Sequence, residues 1–114
     1  MKLRVEVVAL DCLMVRLFDE IAEANMPWML AASESLRTAF AGHLIDLVPS
    51  YTTLMVHYDL SALNPSQARE LISAALIDLS PNTRTRGTCH VLPVWYDLSV
   101  GPELNLLSQR SGLA

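Results

Sequence analysis

Leu44-Ile45-Asp46-Leu47-Val48-Pro49-Ser50-Tyr51-Thr52-Thr53-Leu54-Met55-Val56-His57-Tyr58, followed a few residues on by Asn64-Pro65-Ser66-Gln67-Ala68, decides the fold. Two runs rich in β-branched, aromatic and aliphatic residues meet at a Pro-Ser joint, which predicts a hairpin or a sharp corner. In the second run Leu54, Val56 and Tyr58 alternate with Thr53, Met55 and His57, so one face belongs to a core and the other is half polar. The helix that follows is the clearest element of the chain. Asn64 stands at the cap, Pro65 at the first helical position, and Gln67 where a capping box needs it. Ala68, Leu71, Ile72, Ala75, Leu76 and Leu79 fall on one helical face, and Pro81 ends the run. The unit is β-β-α.

Working outward toward the N-terminus, the same order recurs. Val5-Glu6-Val7-Val8 and Leu13-Met14-Val15-Arg16-Leu17-Phe18 read as strands, joined through Ala9 to Asp11 as a hairpin. Asn25 is placed to cap a helix with Pro27 in its first turn, where the missing N–H costs nothing. Trp28, Ala32, Leu36 and Phe40 recur every four residues, and Gly42 supplies a stop. A start nearer Asp19 is the alternative, with Pro27 then kinking the helix. Toward the C-terminus, Ser80 to Gly87 is polar and reads as a loop or a linker. Thr88 to Tyr96 reads as a fifth strand, assigned to a sheet edge because Pro93 lacks a donor. Gly101-Pro102 then opens a helix that leads either to a final packing element or out toward a partner domain. The expected fold is α+β. It is a two-layer sandwich with a mainly antiparallel sheet, two long helices on one face from a repeated β-β-α unit, and a C-terminal strand and connecting helix.

Composition narrows the function classes. A chain of 114 residues fits one domain with a core of its own. Hydrophobic residues make up 52% and charged residues 18%, against a usual charged share of about 25%. The apolar excess fills a generous core or is covered by a partner. With a net charge of −4 and basic residues scattered, apart from the Arg84/Arg86 pair, there is no stripe to neutralise phosphates, which argues against nucleic acid. The apolar runs are too short to span a bilayer. Glu6 stands where a signal peptide needs its apolar run, so the expected location is cytoplasmic. Cys12 and Cys89 show no motif spacing and are expected to be reduced, buried and inert.

No chemical constellation emerges. His43, His57 and His90 fall in separate elements without metal-ligand spacing, and half-exposed strand histidines explain them better than a zinc site. Ser50 and His57 are near in sequence, yet neither a nucleophile elbow nor an oxyanion hole accompanies them. Asp19, Glu20 and Asp78 read as helix-end residues, and Asp97 and Glu103 as caps of the turn after Tyr96. Gly42, Gly87, Gly101 and Gly112 make no phosphate loop, although the helix after Gly101 has amides that suit an anion. Trp28 and Trp95 are the large anchors, and Trp95 has the better claim to a partner surface.

Three segments resemble one family. Val48-Pro49-Ser50-Tyr51-Thr52-Thr53-Leu54-Met55-Val56-His57-Tyr58-Asp59 resembles the "VPAYRSLLVHYD" corner of the KipI family. Leu92-Pro93-Val94-Trp95-Tyr96-Asp97, with Val100-Gly101-Pro102-Glu103-Leu104, resembles its "IPVCYGGEFGPDL", and Phe18-Asp19-Glu20-Ile21 its "FGDEI". This is the family of the B-type (PxpB) component of 5-oxoprolinase, also described as allophanate hydrolase subunit 1 or the carboxyltransferase C/D domain. The chain departs from it in lacking a Gly-Asp around Ala9 to Cys12, in Trp95 for the family's Cys, and in Asp97 for a Gly.

The resemblance implies an N-terminal α+β domain over residues 1–98, with 99–114 starting a connecting helix toward a cyclophilin-like domain. It implies one component of a 5-oxoprolinase that works with an A-type and a C-type (PxpC/KipA-like) component to convert 5-oxoproline to glutamate. ATP is then used by the assembled complex, and this domain holds no cofactor. The alternative it implies is a KipI-like inhibitor of a sporulation histidine kinase. Homo-oligomerisation is compatible with either. No catalytic residue carries over. The residues expected at an interaction surface are Pro49, Tyr51, Pro93, Trp95, Tyr96, Gly101 and Pro102. A third reading, a free-standing domain that binds a small molecule, would require a deep polar-lined pocket.

Overall fold

The computed structural model describes residues 2–83 and 88–113. Four strands form one antiparallel sheet: β1 (Arg4–Ala9), β2 (Cys12–Arg16), β3 (Leu44–Pro49) and β4 (Thr53–Tyr58), in the spatial order β1-β2-β4-β3. The two expected hairpins are present and join through their inner strands. Leu13 faces Val56 and Val15 faces Leu54 across the β2–β4 seam. Helices α1 (Met26–Phe40) and α2 (Pro65–Leu76) pack on each other and on one face of the sheet, and α3 (Leu104–Ser111) follows at the far end of the chain. The fold class is the expected α+β sandwich.

The alternation in β4 sets the layers. Leu54, Val56 and Tyr58 are fully buried, while Thr53, Met55 and His57 are half-buried on the opposite face. Ala32, Leu36 and Phe40 of α1 and Ala68, Ile72 and Leu76 of α2 close over the buried row, with Leu13, Val15 and Leu17 from β2 and its end. Phe40 and Tyr58 meet at tilted rings with centroids 6.3 Å apart, within the range of favourable aromatic pairs. Arg4 pairs with Asp19, and Arg16 lies 3.9 Å from Glu6 on the uncovered face.

The cap of α2 matches the sequence expectation. Gln67 N–H donates to Asn64 Oδ1 and Asn64 N–H to Gln67 Oε1, both at 2.9 Å, with Pro65 at the first position. This satisfies two of the donors that a helix start leaves unpaired. α2 ends at Leu76, short of the expected Leu79, which nevertheless still packs against the core.

At α1 the expectations need three corrections. Asn25 occupies the cap position, but its side chain turns away and donates to the Glu20 carbonyl at 2.7 Å, helping to hold a 3-10 turn over Glu23–Asn25. The helix starts at Met26, so Pro27 sits in its first turn and causes no kink, and Asp19 and Glu20 lie well ahead of the helix end. The stop comes from Ala41 rather than Gly42. Ala41 takes φ 46° and ψ −124°, a backbone state that favours glycine, and begins a 3-10 turn over Ala41–His43.

The fifth strand does not form. Residues 88–96 are irregular and exposed, with Val91 at 88% and Trp95 at 72% relative exposure. A strand needs a partner ladder, Pro93 removes one of its donors, and both sheet edges carry side chains seated on main-chain groups. Arg69 Nη1 donates to the Val5 carbonyl at 3.1 Å, and Leu47 N–H donates to Asp46 Oδ1 at 2.8 Å. Such contacts blunt an edge against added strands. Cys89 is therefore exposed rather than buried, His90 lies outside any strand, and His43 lies in the 3-10 turn; Cys12 is buried as expected. The Arg84/Arg86 pair and Gly87, the end of the expected loop, lie outside the described residues. Residues 88–113 form an arm. The Cα radius of gyration is 19.6 Å, against about 13 Å for a compact domain of this length.

Candidate functional site

The β3–β4 corner and the first two turns of α1 enclose a groove. Pro49, Ser50 and Tyr51 form one wall; Met26, Met29, Leu30 and Ser33 form the other, around a volume of about 420 Å³. The corner is fixed by Ser50 N–H donating to the Thr53 carbonyl at 2.8 Å, and by Leu17 N–H donating to the Thr52 carbonyl at 2.9 Å. Ser33 Oγ donates to the Met29 carbonyl. Its hydroxyl is therefore satisfied within the helix, and the groove offers mainly thioether, aliphatic and phenol surface. Met26 at 59%, Leu30 at 42% and Tyr51 at 72% exposure present large apolar side chains to solvent.

Pro49 and Tyr51 thus sit together on the body, whereas Pro93, Trp95, Tyr96, Gly101 and Pro102 lie on the arm. The arm has its own local order. Val100 and Gly101 N–H groups donate to the Asp97 carbonyl, and Ser99 N–H donates to Asp97 Oδ1 at 2.8 Å. The Ser99 bonds to its charged form hold the Asp97 carboxyl below the usual carboxylate range. A Cβ at Gly101 would stand 2.9 Å from Leu104 Cδ1, a contact that a shift of the Leu104 side chain relieves. Glu103 precedes α3 without capping it. Sequence reasoning missed Met26 and Leu30. Leu30 lies off the Trp28-Ala32-Leu36-Phe40 face, and an apolar residue pointing outward on a helical wheel was the available signal.

A second trough runs between α1 and α2, open to solvent and about 570 Å³ in volume. Small residues such as Ala31, Ala74 and Ala75 line it beside Glu34 and Asp78. Its Ser35 Oγ donates to the Ala75 carbonyl and Thr38 Oγ1 to the Glu34 carbonyl. Those hydroxyls are spent on the fold, and the deep polar-lined pocket of a small-molecule binder is not what the trough offers.

The polar cluster nearest to chemistry lies at the β1–β2 turn. His57 Nε2 is 3.0 Å from Asp11 Oδ2, Tyr58 Oη donates to the Leu10 carbonyl at 2.6 Å, and Tyr58 N–H donates to the Asp11 carbonyl. Cys12 is the cross-strand partner of His57. The trio of Cys, His and Asp does not make an activated nucleophile. Burial first, and the Asp11 charge second, push the Cys12 thiol above its ordinary range, the wrong direction for a thiolate. Burial likewise raises the Tyr58 phenol, with Asp11 adding to it. The network locks the turn in place. Among the described residues no three His, Cys, Asp or Glu side chains are arranged to hold a metal ion, and no helix is long and apolar enough to cross a membrane.

No curated protein and no solved structure matches the chain. A family model does match, over residues 3–114, and its description is the carboxyltransferase domain, subdomain C and D. The match takes in the sheet, both packed helices, the corner with Pro49 and Tyr51, and the whole described arm. The chain belongs to the carboxyltransferase domain C/D family.

Proposed function

We propose that this chain is the N-terminal part of a PxpB-type component of 5-oxoprolinase. Its domain works mainly in assembly, joining the A-type and C-type components in converting 5-oxoproline to glutamate. The carrying observation is the run of large apolar side chains left in solvent on the arm, Val91 through Val100, in a molecule whose core is otherwise well packed. A cluster of that kind marks an interaction surface. Within the carboxyltransferase C/D family, the segments around Pro49 and Pro93 resemble the PxpB type, and they are the segments that form the groove wall and the arm. ATP would be bound in the complex rather than here, in the cytoplasm, and residues 99–114 would lead toward a cyclophilin-like unit.

The test is ATP hydrolysis dependent on 5-oxoproline, measured for the chain within a complete PxpB-type protein, mixed with the A-type and C-type components. Turnover that requires all three components is the expected result. Turnover by this chain alone would overturn the assembly role. Loss of histidine kinase autophosphorylation in its presence, with no turnover in the mixture, would assign it the KipI-like function instead.

A further inference from the structure

We propose that residues 90–96 of the arm join, as an edge strand, a β-sheet with an open edge in a different protein. His90-Val91-Leu92-Pro93-Val94-Trp95-Tyr96 has the composition of a strand, and its aliphatic and aromatic side chains stand in solvent. Among the described residues, no main-chain N–H or C=O group of this stretch meets a protein group. A strand-forming segment with a free main chain is completed by a ladder, and pairing along an exposed sheet edge is a recurrent mode of peptide recognition.

The receiving sheet is not that of this chain. At the edge strand β1, the Val5 carbonyl is taken by Arg69. At the other edge, β3, the Leu47 N–H is engaged by Asp46 Oδ1, and Pro49, two residues on in the same register, has no N–H to offer. A second copy carries the same blunted edges. Two arms paired only with each other would make an isolated two-stranded ribbon, which is marginal in water. The occupant is therefore a different polypeptide.

Pro93 fixes which side of the arm pairs. In an extended strand, alternate residues direct their N–H and C=O groups to the same side. Val91, Pro93 and Trp95 share one side, and the donor missing from Pro93 would break a ladder there, so that side faces outward. Leu92, Val94 and Tyr96 present their N–H groups to the partner. Both faces of the strand are apolar, Val91 and Trp95 on one and Leu92, Val94 and Tyr96 on the other, so the partner's sheet is one covered on both faces. The turn built on the Asp97 carbonyl and carboxylate ends the strand.

This pairing rests on the assembly role proposed above, and the A-type and C-type components, added in turn to the whole chain, are its probes. Amide exchange followed by NMR is expected to be fast throughout residues 91–96 in the chain alone. With the component that binds, the Leu92, Val94 and Tyr96 amides slow on the order of 100-fold, while those of Val91 and Trp95 stay fast. Val94→Pro removes a paired donor and weakens binding roughly 30-fold in titration calorimetry, whereas Val91→Pro stays within about 3-fold. Both valines are exposed and outside the core, so the circular dichroism of either variant is unchanged. Equal losses for the two variants, protection in the opposite phase, or a complex whose arm amides stay fast overturns the proposal. Slow arm amides in the chain alone overturn it as well. If they slow with concentration a second copy is the partner, and if they are slow at every concentration the arm lies on its own body. A chain that neither component binds overturns it too. Turnover dependent on 5-oxoproline, measured in the full mixture, separates this pairing from the enzyme reading. Alternating protection without turnover sinks the enzyme reading and leaves the pairing standing, and turnover with unprotected arm amides does the reverse.

Discussion

Ala41 shows the residue scale most clearly. Its φ of 46° with ψ −124° lies where a Cβ is strained, and the reversal after α1 is built there although Gly42 is the next residue. Strain of this kind costs on the order of 1 kcal/mol. Ala41→Gly is therefore expected to raise the melting temperature by about 4 °C, in differential scanning calorimetry; no change or a drop would show that the reversal is relaxed. The stop was legible as a region and missed by one residue, because glycine content marks where a turn falls and not which residue takes the positive φ. Asp59 offers a second reading at this scale. Ser61 Oγ and N–H both donate to its Oδ1, at 2.6 and 2.9 Å, and hold the carboxyl below its ordinary value. A depressed folded value stabilises the fold above the unfolded value of about 3.9 and ceases to do so as pH falls through the folded one. Ser61→Ala should move the Asp59 carboxyl titration upward when followed by NMR, and should lower stability near neutrality but not in acid below both values. An unmoved titration would rule out the hydroxyl as the cause.

At the scale of elements, what was legible was whatever local chemistry decides. The capping box of α2 needs only Asn64, Pro65 and Gln67 in order, and each stands where the sequence put it. Asn64→Ala removes both the acceptor for Gln67 N–H and the preferred cap, so the chain should lose about 1 kcal/mol in urea unfolding. Asn64→Asp should retain most of it, and equal losses for both would mean that the cap contributes little. The α1 start looked alike in sequence and came out differently, because Asn25 is buried and spends its amide on Glu20. Tertiary placement overrode a local preference. The hairpins were legible because β4 alternates strictly and one register buries Leu54, Val56 and Tyr58 together. Thr88 to Tyr96 has equally good strand composition and forms no strand, since pairing is a property of two segments and composition describes one. The groove divided in the same way. Pro49 and Tyr51 were visible as a corner, while the Met26 and Leu30 wall came into view only once α1 was laid beside it.

At the scale of the whole molecule, the chain divides into a body that holds itself together and an arm that does not contribute to it. Among the described residues, every fully buried side chain lies between Leu13 and Leu76, and the packed periphery ends at Leu79. The arm's apolar residues can therefore stabilise the fold only through another surface. Ending the chain after Thr83 should leave the melting temperature at high dilution within about 2 °C of the whole chain's, because no core contact is removed. If the arm also bound a second copy, the two would diverge at higher concentration. Association adds free energy to a folded state in proportion to the logarithm of partner concentration over Kd, so a chain whose arm binds a second copy melts later as it is concentrated. The shortened chain has no such term and should melt at one temperature throughout. Paired thermal melts over a wide range of concentration read both statements at once. A shortened chain that melts well below the whole one at high dilution would show that the arm packs on its own body. Parallel, concentration-independent melts would show that its exposed valines, leucines and aromatics are covered by something other than this chain, and would leave the carboxyltransferase-family body as a platform for a different partner.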